Sequence, residues 1–104
     1  MEPGIDDGGQ RMIEEFGTKQ TAVIDAILQE RKFQDRKHGH PDTNPHTIGA
    51  WLLTIEAELQ EAKMACIKGG NGRDNVISEL VQIAALCVAC LEQHGVNPIP
   101  GRTV

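Results

Sequence analysis

Residues 76–92 read VISELVQIAALCVACLE, and this stretch decides the fold class. Val, Ile, Leu, Ala and Cys fill every position except Ser78, Glu79, Gln82 and Glu92. At 3.6 residues per turn those apolar positions cover nearly the whole circumference, so the segment is a helix that must be surrounded by protein. It runs from about Asp74 to His94, where Gly95 stops it and Pro98 and Pro100 follow. Two partner helices from so short a chain cannot wrap it, which predicts contact with further copies of the chain.

Working outward, Lys68-Gly69-Gly70-Asn71-Gly72 is a turn, and before it lies a second helix from about Thr47. Ile48, Trp51, Leu52, Ile55, Leu59 and Ala62 form its apolar stripe. The Pro-containing stretch Gly39–His46 is a loop. A first helix spans about Thr18 to Lys37, with Val23, Ile24, Ile27 and Leu28 recurring at helical spacing. No useful stretch alternates with period two. The expected class is all-α, three helices in a bundle assembled into a homo-oligomer. Residues 1–17 are expected as a flexible Gly-, Pro- and Asp-containing tail, 18–95 as the helical domain and 96–104 as a C-terminal tail.

The 104 residues suffice for one domain, and 39% apolar with 24% charged residues is an ordinary soluble composition. Ten Lys and Arg against fifteen Asp and Glu give a net charge of −5, which argues against a surface that coats nucleic acid. No run approaches the roughly 18 apolar residues of a membrane span and no secretory start is read, so no membrane partner is expected. Three cysteines without such a start point to reduced thiols in a cytoplasm.

A carboxylate on an all-round apolar helix is costly unless a cation compensates it, and Glu79 is that carboxylate. Gln82, three residues on, projects from the same edge. On the second helix Glu58 and Glu61 repeat the spacing. Two helices each offering such a pair can bring several hard oxygens to one point, which describes a Mg²⁺ or Mn²⁺ site. The plainer alternative is that Glu58 and Glu61 are solvated and Glu79 pairs with a Lys or Arg.

The ordered set Glu30-Arg31-x-x-Gln34-Asp35-x-Lys37-x-Gly39, Trp51-Leu52, Glu58-x-x-Glu61-Ala62, and Glu79-Leu80-Val81-Gln82-Ile83-Ala84-Ala85 with Leu91-Glu92 resembles the MazG-like all-α nucleoside triphosphate pyrophosphohydrolases. The likeness is to their short phage-type members, including the dGTP-preferring MazZ type. It implies a MazG-like bundle, cleavage of a (deoxy)nucleoside triphosphate to monophosphate and pyrophosphate, and a tetramer in preference to a dimer. It also implies a cytoplasmic location, the host cytoplasm for a phage-encoded chain. Glu58, Glu61 and Glu79 would be catalytic metal ligands with Gln82 a fourth. The chain departs from the pattern at Ala57, which replaces the first glutamate of a pair, and at Gln82, which replaces an aspartate.

Triphosphate binding needs cations. Lys37 stands at the lysine position of the resemblance, and Arg31, Lys68 and Arg73 lie near helix ends. Trp51 falls about two turns, roughly 10 Å, from Glu58 on one edge and could wall a base pocket, or simply anchor the helix. His38 and Asn75 complete the expected substrate contacts, with Asn44 and Asn71 as weaker base readers. Cys87, Cys90 and His94 share a face but read as packing residues rather than a zinc site. His38-x-His40 reads as a solvated loop pair. The rival function is a non-catalytic helical oligomer, an interaction module with a decayed nucleotide site.

Overall fold

Thr47 opens the central hairpin: its Oγ1 accepts from Ala50 N at 3.1 Å, satisfying an amide that the first helical turn leaves free. In the computed structural model, residues 7–69 and 72–102 are described, with side chains from 17 to 69 and from 75 to 102. Three helices follow one another, α1 (Asp7–His38), α2 (Ile48–Lys68) and α3 (Gly72–His94). Among the described residues there is no strand, and the class is all-α as expected.

The boundaries of α2 and α3 fall within two residues of those expected, because caps and breakers mark them. Gly95, at φ 94°, closes α3 with its N–H on Leu91 O at 2.8 Å. Gly39, at φ 87°, closes α1 the same way on Asp35 O at 2.9 Å. Asn44 Nδ2 adds a bond to His38 O at 2.8 Å. The start of α1 differs from expectation: residues 7–17, read as tail, are helical. Gln10, Met12, Glu14 and Glu15 are good helix formers without a proline among them, so propensity carries the helix past its apolar stripe.

α3 packs against both α2 and α1, while α1 and α2 do not pack on one another among the described residues. Ala85 and Ala89 are fully buried on α3, one turn apart, and their small side chains let the neighbouring backbones approach. The packed face of α2 has Trp51 and Ala62 buried and Ile55, Glu58 and Ala65 half-buried; it keeps Trp51, Ile55 and Ala62 of the expected stripe, while Ile48, Leu52 and Leu59 are exposed. α1 departs further, since Val23, Ile24 and Leu28 face outward. Its packed side is Ile27, Arg31, Gln34 and Asp35. The physical reason is that α1 docks on α3 by ion pairs and amide contacts, leaving its apolar stripe uncovered.

By length and composition alone α3 is long and apolar enough to cross a membrane, at mean hydropathy 1.6 over residues 75–94. Single apolar helices in soluble cores pass the same criterion, so this says nothing of location.

Candidate metal centre

Glu58 reaches the site because it occupies a position on the α2 face that meets α3, and Glu61 follows one turn later. Glu79 projects from α3 toward them. One carboxylate oxygen from each of Glu58, Glu61 and Glu79 lies within 4.8 Å of the others. Among the described residues this is the only such gathering of three His, Cys, Asp or Glu side chains. Glu58 Oε2 and Glu79 Oε2 are buried and accept no hydrogen bond. Glu79 facing it, and then burial, push the Glu58 carboxyl above the usual carboxylate range, while Glu61 and Lys37 pull the other way.

Beside the trio, α1 and α2 flank an open cleft of about 440 Å³ with α3 as its floor. Glu58, Gln82, Lys37, Trp51, Arg31 and His38, named separately from the sequence, all line it. Lys37 Nζ stands 5.9 Å from the Phe33 ring centroid and is exposed at the rim. Asn75 and Lys68 instead line a second hollow with Glu61. The Arg73 side chain and Asn71 lie outside the described residues. Asn44 shapes the loop and lines the cleft.

Arg31, expected to reach phosphate, is committed elsewhere. Arg31 is 4% exposed, and its guanidinium donates to Glu92 at 2.7 and 3.2 Å and to Asp35 at 2.8 Å. Both carboxylates hold it charged, Glu92 most strongly. A rigid fork filled by two carboxylates has little left for a third anion.

Trp51 is buried and its indole N–H donates to Gln93 Oε1 at 3.0 Å. The His46 ring meets it edge-on at 5.2 Å. Gln93 also accepts from His46 N at 3.0 Å and donates to His46 O, so one amide fastens the loop and the indole to α3. Trp51 therefore anchors the hairpin and presents only part of its surface to the cleft. Gln93 and His46 were missed from sequence, and no spacing signal could have found them, because the contact joins residues 47 positions apart.

Cys87, Cys90 and His94 form no metal-binding cluster among the described residues: both thiols are free of disulfides, and His94 Nε2 lies 2.9 Å from His46 O. His40 turns to Glu92 at 3.7 Å and to Asp42 at 3.6 Å.

The trio fits a hard divalent cation, since two buried oxygens without donors beside a third carboxylate are what such an ion would satisfy. No family model, curated protein or solved structure matches the chain.

Proposed function

We propose that the chain is a Mg²⁺- or Mn²⁺-dependent nucleoside triphosphate pyrophosphohydrolase of the MazG-like type, active as a homo-oligomer, a tetramer ahead of a dimer. The observation that carries this reading is the trio Glu58, Glu61 and Glu79, converging within 4.8 Å at the edge of a cleft of nucleotide size. Divalent cations supply charge neutralisation on phosphate oxygens and lower the pKa of water. Glu58, Glu61 and Glu79 hold that charge in place, with the Gln82 amide as a neutral neighbour on the cleft floor. Lys37 at the rim meets the triphosphate, and Trp51 with His46 closes the far end, where a base would lie. The preferred substrate is a deoxynucleoside triphosphate, dGTP first.

A second reading, a non-catalytic oligomer with a decayed site, is favoured by Ala57, by Gln82 and by the commitment of Arg31 to Glu92 and Asp35. One experiment separates the two. The purified chain with Mn²⁺ and each dNTP should release pyrophosphate, and chelator should stop it. Glu79→Gln should remove turnover while the protein stays folded. Orthophosphate as the direct product, or no product from any dNTP, would refute the enzyme.

A further inference from the structure

Three buried side-chain oxygens lack a donor among the described residues: Gln34 Oε1 on α1, Glu58 Oε2 on α2 and Glu79 Oε2 on α3. Each helix thus contributes one. The orientation of the Gln34 amide follows from its neighbours. Its nitrogen lies 3.4 Å from Glu30 Oε2 and 3.4 Å from the Gln82 carbonyl, both acceptors only, so Nε2 must face them and Oε1 must be the atom left over. The contact with the Gln82 carbonyl holds the Gln34 amide against α3. Gln34 lines the same cleft as Glu58 and Gln82.

A buried acceptor without a donor destabilises the fold on its own account. Three acceptors, two of them carboxylates, call for a ligand that brings positive charge and O–H donors together. A hydrated divalent cation does so: the carboxylates take the ion, and a neutral amide oxygen suits one of the waters it carries. We propose that Gln34 is the α1 member of the cation site, a positioning residue that accepts a hydrogen bond from water on the bound metal. This rests on the metal-dependent reading above.

The test is thermal melting of parent and Gln34→Leu, each without ligand, with Mn²⁺ alone, and with dGMP alone in chelator. Gln34→Leu removes the orphaned acceptor and gives up only two long amide contacts. It should therefore melt no lower than the parent without ligand, while its Mn²⁺ affinity, read from the melting shift against concentration, falls about tenfold or more. A purely structural Gln34 would give the opposite, a lower melting temperature and an unchanged Mn²⁺ response. Gln34→Leu that keeps the full Mn²⁺ shift overturns the inference and leaves the metal site standing. Loss of a dGMP shift with the Mn²⁺ shift intact also overturns it, assigning the acceptor to sugar or base. A parent that shows no Mn²⁺ shift overturns the metal reading itself, and this inference with it.

Discussion

Glu58 is an acidic residue on the packed face of a helix, and its chemistry follows from that position. Facing Glu79 and partly desolvated, its carboxyl holds a proton more tightly in the folded chain than in the unfolded one, whose reference value is 4.5. The stability linked to that proton is present in full below the unfolded value and is lost as pH rises through the folded one. In metal-free buffer Glu58→Gln should therefore melt higher than the parent near pH 7 and level with it near pH 4. Partial exposure keeps the difference small. A variant that melts lower near pH 7 would show that Glu58 is stabilised by a partner rather than crowded by Glu79.

At the scale of elements, the docking of α1 is mainly polar. Arg31 joins α1 to the end of α3 through Glu92 and braces itself on Asp35. Replacing it with leucine removes charge-assisted bonds but leaves Glu92 and Asp35 partly solvated, which limits the penalty. Arg31→Leu should cost about 1–2 kcal/mol, read as roughly 4–8 °C of melting temperature for each kcal/mol. For the proposed activity, the KM of the folded variant for dGTP should stay near that of the parent. A large rise in KM without loss of stability would return Arg31 to the substrate.

At the scale of the whole molecule, the chain has a radius of gyration of 17.5 Å, against about 13 Å for a compact domain of this length. Among the described residues the buried apolar core is Trp51, Ala62, Ala85 and Ala89, while Val23, Ile24, Leu28, Leu52, Leu53 and Ile67 are exposed. A solvated monomer would keep that much apolar surface in water, which soluble monomers rarely do. Light scattering at micromolar concentration should return a multiple of the 11.3 kDa chain mass, four ahead of two. A mass near that of one chain would refute the assembly.

Read alone, the sequence determined that the chain is all-α and where α2 and α3 begin and end, and it singled out Glu58, Glu61 and Glu79, whose carboxylates the fold gathers within 4.8 Å. Caps, glycines and helical periodicity are local properties, so a linear reading reaches them. The tertiary structure alone decided which helix faces meet. Strong apolar periodicity placed Val23, Ile24, Leu28, Leu52 and Leu59 inside, yet the single chain packs through Arg31, Gln34, Glu58 and small alanines. Periodicity identifies an apolar face but not which partner covers it. Likewise, Arg31 turning to Glu92 and Gln93 fastening Trp51 are pairings across 61 and 42 positions, set by the crossing of helices rather than by spacing along one.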